Sequence, residues 1–123
     1  MIGWKPGDDV GALEPWPFDA AESQYRIVAG APRAFGRLDA GGPGHPTRLG
    51  IWRCTAGAFE CTEQGDELMT VLSGRGRVTE VAGGRVHELA AGDSLFLRHG
   101  SRVRWEIDAA LTKVFFAAKP GGY

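Results

Sequence analysis

Net charge is almost absent from this chain. Its 123 residues carry a formal charge of -1 at pH 7, which gives no electrostatic case for a nucleic acid or an anionic membrane as partner. No apolar run approaches the length of a membrane span. The first residues, Met1-Ile2-Gly3-Trp4-Lys5-Pro6, lack the basic-then-apolar layout of a signal peptide. The expectation is a soluble, cytoplasmic protein. Cysteine is limited to Cys54 and Cys61, whose spacing is neither a metal-type pair nor a disulfide framework, so two free buried thiols are expected. No stretch reads as a long helix, and no repeat recurs at solenoid period.

Glycine is what the chain has in excess: 19 residues, roughly twice the usual share. With 7 prolines, this favours many short strands joined by tight turns. At 43% hydrophobic and 24% charged residues the composition is globular, and the length suits a single domain.

Residues 1–24 hold a Pro15-Trp16-Pro17-Phe18 cluster that cannot be a regular helix or a central strand. Because its tryptophans need cover, an arm packed on the domain or on a second subunit is expected; a disordered leader is the alternative. Candidate strands follow at Tyr25–Val28 and Ala34–Leu38. A glycine-proline loop spans 40–46 and carries His45, which reads as an exposed loop residue. From Thr47 a β-meander is expected: Arg48–Thr55, Ala58–Thr62, Glu67–Ser73, Arg75–Val81, Arg85–Leu89, Ser94–Leu97, Val103–Ile107 and Leu111–Ala118. A glycine turn is expected after Ser73, and a hairpin turn at Ala82-Gly83-Gly84. Strands at this spacing suggest a sandwich or barrel.

Strand alternation assigns faces. Glu67, Met69, Val71 and Ser73 share one side of their strand. Val103, Trp105 and Ile107 oppose the wet side made by Arg102, Arg104 and Glu106, so Trp105 points inward, either as core filler or as a cavity wall. A buried indole N–H needs a partner.

Several segments together resemble the signature of the cupin superfamily: Gly50-Ile51-Trp52, Asp66-Glu67, the Leu72-Ser73-Gly74 turn, Gly92-Asp93-Ser94, Gly100, Trp105-Glu106 and Lys113-Val114. The chain is similar to the small single-domain branch that includes ureidoglycine aminohydrolase-like and ethanolamine-utilisation cupins. The resemblance implies an all-β, single-domain, RmlC-like jelly-roll barrel over residues 25–123, with its signature region at 50–119, preceded by the N-terminal arm. It also implies a homodimer.

The superfamily's metal-binding histidines are missing from their places. Its first motif puts two histidines, separated by one residue, before the position of Glu67; depending on the gap, Cys61 and Glu63 or Glu60 and Thr62 stand there. In the second motif Arg98 replaces a proline and Val103 replaces the histidine. Of four usual ligands only Glu67 survives, so no metal is assigned. A divalent ion on Cys61, Glu63 and Glu67 is the alternative, a mixture of donors that zinc tolerates.

Glu67, Glu63 and His99 are the candidate catalytic residues, and Cys61, Met69, Arg98, Val103 and Trp105 the candidate ligand-binding ones. Two inward carboxylates, Glu63 and Glu67, cannot both stay charged without a cation, an arginine such as Arg53 or Arg98, or a shared proton. Alternatively, Glu63-Gln64-Gly65-Asp66 is a solvated loop and only Glu67 points inward. His99, on a turn near the barrel mouth, is either a general base or a solvated turn residue. His87 is expected on the surface of the hairpin. The expected function is a small-molecule enzyme acting on a nitrogenous ureido or amino metabolite. The alternative is a non-catalytic binding or accessory barrel that works as a homodimer.

Overall fold

Alternation of apolar and polar side chains carries through most of the chain and produces nine strands. The computed structural model describes all residues, Met1–Tyr123. The strands are β1 (Glu14–Pro15), β2 (Arg26–Ala29), β3 (Ala34–Gly41), β4 (Thr47–Cys54), β5 (Gly57–Thr62), β6 (Asp66–Glu80), β7 (Val86–Ala90), β8 (Ser94–Leu97) and β9 (Arg102–Ala118). The only helical element is one 3-10 turn, Ala21–Ser23.

β9 is the centre of the sheet. One of its edges pairs first with β5, from Thr62↔Arg102 to Gly57↔Ile107, and then with β4, from Cys54↔Leu111 to Thr47↔Ala118. Its other edge pairs along β6, from Glu80↔Val103 to Asp66↔Ala118. β3 and β1 extend the sheet beyond β4, β2 beyond β5, and β7 and β8 beyond β6. All pairings are antiparallel, and the curled sheet is an all-β barrel of the kind the sequence resembles.

Two expected breaks are not breaks. The segments 103–107 and 111–118 form one strand, because its partner changes from β5 to β4 while β9 itself runs on. The segments 67–73 and 75–81 also form one strand: Gly74 sits in a bulge, where the register against β9 shifts between Val71 and Gly76. Glycine is required there, since φ is +81° and a Cβ would come 2.0 Å from the Ala110 carbonyl oxygen. The bulge switches the parity of β6. Glu67, Met69 and Val71 are buried on the interior side before it, and Val78 is buried there after it.

The interior is filled by fourteen buried residues, among them Phe59, Met69, Val71, Val103, Trp105, Leu111 and Phe115. Each large apolar side chain contributes about 1.5–3 kcal/mol by leaving water. A smaller cluster of Val10, Ile51 and Leu72 lies apart from it, with Trp4, Leu13 and Val114 packed around it. The arm is therefore attached to the barrel. Gly7 N–H donates to the Leu72 carbonyl at 2.8 Å, Arg37 donates to the Val10 carbonyl, and β1 pairs with β3 at Glu14↔Gly36. Gly36 leaves the space that Trp16 occupies, because a Cβ there would meet the indole at 2.5 Å.

Candidate functional site

The interior is not filled at one end. A cavity of about 340 Å³ opens there, walled by Trp52, Phe59, Trp105 and Phe115 from the barrel and by Trp16 and Phe18 from the arm. Its walls are an aromatic network. Trp52 lies 5.3 Å from Trp105 and 6.2 Å from Phe59 between ring centroids, while Phe18 packs at 4.5 Å on Phe59 and Trp16 meets Phe115 edge-on at 6.2 Å. Such a lining offers apolar area with few mobile torsions.

Into this apolar setting β4, β6 and β9 project charged groups. On β9 the interior parity that buries Leu111 and Phe115 also sends Lys113 inward. Its Nζ lies 2.5 Å from Glu67 Oε2, with 7% and 9% of the two side chains exposed. The ammonium also lies 4.8 Å from the Trp52 ring centroid and 4.6 Å from that of Trp105, so cation–π attraction supplements the ion pair. The pair is well partnered, which a buried charge requires.

Glu63 follows the end of β5 and borders the cavity. Its Oε1 accepts from the Trp105 indole N–H at 3.3 Å and from the Cys61 thiol at 3.6 Å. The indole thus finds the partner that its burial demands. No protein donor reaches Oε2. Burial, and secondly the neighbouring Glu67 carboxylate, hold the Glu63 carboxyl above the usual carboxylate range; Lys113 and the two hydrogen bonds pull it the other way. With both donors on Oε1, a proton on Glu63 belongs on Oε2. Burial and the nearby Glu63 likewise push the Cys61 thiol up, and burial raises Cys54 to about 12 and Tyr25 to about 12. Both cysteines are free and buried.

The donor set does not fit a metal ion. An ammonium already engages Glu67, and Val103 offers no donor atom. No three His, Cys, Asp or Glu side chains are placed to hold an ion. The three-ligand site of Cys61, Glu63 and Glu67 is not formed.

Of the residues expected at the site, Cys61, Glu63, Glu67 and Trp105 line the cavity. Both carboxylates face inward, and the cation that resolves their conflict is Lys113 rather than Arg53 or Arg98. Met69 and Val103 do not line the cavity, because they are close-packed in the core at 1% and 0% exposure. Arg98 is exposed and lies over the Phe96 ring at 5.6 Å. His99 also lies outside the cavity. Its Nδ1 accepts from Gly65 N–H at 2.8 Å and its backbone N–H donates to Asp66 Oδ1 at 2.8 Å, so it braces the turn that enters β6.

Sequence reasoning missed Lys113, Arg48, Trp52, Phe115, Tyr123 and the arm's contribution. Lys113 was within reach of the same parity rule, since Leu111 and Phe115 on its side of the strand are buried, and Arg48 shares parity with buried Gly50 and Cys54.

The model of the EutQ-like cupin domain matches residues 41–115, more than half of the chain and both residues of the ion pair. The chain belongs to this cupin family. Among solved structures, this cupin is similar to the EutQ protein of Clostridium difficile, with 16% identity, 72% of this chain and 70% of that chain covered, and a TM-score of 0.63. It is also similar to a cupin-like protein of Thermotoga maritima, with 13% identity, coverage of 93% and 84%, and a TM-score of 0.69. A third is a cupin 2 conserved barrel domain protein of Rhodopseudomonas palustris, with 13% identity, coverage of 91% and 74%, and a TM-score of 0.59. At these identities the likeness is one of fold, which hosts many chemistries. No curated protein matches the sequence.

Proposed function

We propose that this cupin is a small-molecule enzyme that performs acid–base chemistry on a nitrogenous ligand, of the amino or ureido kind, without a metal. The observation that carries the reading is the Lys113–Glu67 pair at 2.5 Å, set beside Glu63 in a cavity of ligand size. In this reading Glu63 is the acid. Its raised proton affinity keeps a transferable proton on Oε2, the oxygen with no protein partner. Glu67 accepts an N–H from the ligand with its free oxygen, and Lys113 fixes the orientation of that carboxylate. The aromatic walls lower the local polarity around Lys113 and Glu67, which strengthens their interaction.

The test is turnover of amino and ureido compounds by purified protein between pH 5 and 9, with and without a chelator. Turnover unaffected by chelation and lost in both Glu63→Gln and Glu67→Gln supports the reading. Activity that vanishes with chelator and returns with added metal overturns it, as does the absence of any turnover.

A non-catalytic homodimeric barrel is the second reading, and an outward-facing apolar row favours the homodimer. Phe96, Leu68 and Phe116 are register partners on β8, β6 and β9, and each is about half exposed (50%, 54% and 49%). Adjacent aromatic and aliphatic residues left in water are a common mark of a subunit interface. No helix is long and apolar enough to cross a membrane, and two free thiols suit a reducing cytoplasm.

A further inference from the structure

Counting ion pairs around the cavity leaves one cation without a partner. Lys113 is paired with Glu67 on the barrel wall, and Lys119 with Glu22 of the arm at 3.0 Å. Arg48, which also lines the cavity, makes no ion pair, and its buried Nε has no hydrogen-bond partner. Glu63, the third acidic residue on the lining, makes no ion pair with it: its Oε1 accepts from the Trp105 indole and the Cys61 thiol.

Arg48 is held in place without being neutralised. Its guanidinium lies 4.4 Å from the Tyr123 ring centroid and 5.7 Å from that of Phe115. Two aromatic faces fix the planar fork beside the Tyr123 hydroxyl, and no carboxylate meets its N–H edge. The fork also stands at a junction, because a second cavity of about 390 Å³ shares Arg48, Lys119, Tyr123 and Trp16 with the first and has no acidic residue in its lining. β4 sets the position. Arg48 is opposite Ala117 on β9, and Ala117 is opposite Glu67 on β6. The small alanine separates the guanidinium from the carboxylate across the barrel wall, and the two make no ion pair.

We propose that Arg48 is an anion anchor and that the cavity takes a monocarboxylate with a flat apolar body. The carboxylate meets the guanidinium edge, where a bidentate pair forms. The flat body lies between the Trp52, Trp105 and Phe59 faces and reaches toward Glu63 and Glu67. One uncompensated cation matches a single negative charge; a phosphate dianion would bring a surplus into a low-dielectric site. The inference rests on the reading of this cavity as a ligand site and adds the class of ligand.

The test is calorimetric titration with two probes of one shape, indole-3-acetate and indole-3-acetamide, and with phenyl phosphate as a dianion. Wild-type protein binds the acetate about tenfold or more tightly than the amide, the size expected of a charge-assisted pair, and added salt weakens the acetate alone. Arg48→Gln removes the difference while the amide affinity stays within about twofold. Arg48→Lys, which keeps the charge, retains part of it and serves if the glutamine variant fails to fold. Equal or tighter amide binding in the wild type overturns the anchor and leaves the cavity as a ligand site. Tighter phosphate binding overturns the monoanion assignment. Binding of none of the three overturns the anchor together with the cavity reading on which it rests.

Discussion

Lys113 Nζ and Glu67 Oε2 meet at 2.5 Å inside the barrel, 46 residues apart in sequence. Two adjacent strands, β6 and β9, bring them together. Removing one partner leaves the other charged in an aromatic setting, and removing both leaves a neutral gap.

Lys113→Met should therefore cost about 3–5 kcal/mol, because Glu67 is left buried and unpaired. The double variant Lys113→Met with Glu67→Gln should recover most of that loss. Urea unfolding of the wild type, both single variants and the double variant measures the coupling. A double variant as unstable as Lys113→Met alone would show that the pair is not the source of the cost.

The pH dependence should carry two opposite slopes. The folded proton affinity of Glu63 is raised, chiefly by burial. Its favourable contribution is thus present below the unfolded value of about 4.3 and is lost as pH rises toward the raised folded value. Glu60 is the reverse. The hydrogen bond from Arg104, at 2.9 Å, holds its carboxyl below the ordinary value, so its contribution is present above the unfolded value and is lost as pH falls. Glu63→Gln should raise the melting temperature at pH 8 and change it little at pH 4; an unchanged difference across that range would contradict the assignment.

The sequence reveals the barrel because its evidence is local: alternating residues, glycine turns and the Val78–His87 hairpin pairing are written over short spans. The polar site is not local: Trp105 lies 42 residues from Glu63 and Lys113 lies 46 from Glu67. Cys61, Glu63 and Trp105 meet because β5 and β9 pair in register at Cys61↔Val103 and Phe59↔Trp105. Lys113 and Glu67 lie in the uninterrupted register of Asp66–Val71 against Lys113–Ala118, ahead of the Gly74 bulge, and short spans of sequence do not say which strands will be neighbours. The arm's part in the cavity was likewise illegible, because Gly36 shows why Trp16 fits only once both are in place.

Gly74→Ala tests that bulge. Both Gly74 and Gly83 have positive φ, at +81° and +99°, but a Cβ at Gly83 meets nothing within 4 Å. Gly83→Ala should cost about 1–2 kcal/mol, the backbone penalty alone. Gly74→Ala should cost clearly more, since backbone must also move. Equal losses in thermal unfolding would remove the steric argument.

Gly36→Ala should displace Trp16 without touching the barrel walls directly. The expected result is a red-shifted and more readily quenched tryptophan emission, with weaker binding of any cavity probe. An unchanged spectrum would mean that the arm holds Trp16 by other means.

Leu68→Glu tests the outward row. A homodimer built on Phe96, Leu68 and Phe116 should become monomeric in sedimentation, with its secondary structure retained. A variant sedimenting like the wild type would place any dimer elsewhere.

β9 follows all three of its partners, β4, β5 and β6, in the chain. During synthesis, then, three strands leave the ribosome with their inner edges bare and wait for a template that arrives afterwards. Pairing over such sequence distances is slow, and unpaired edges invite self-association. A chain cut short before residue 102 would yield sticky fragments rather than a smaller barrel, because β4, β5 and β6 would lack the strand on which all three pair.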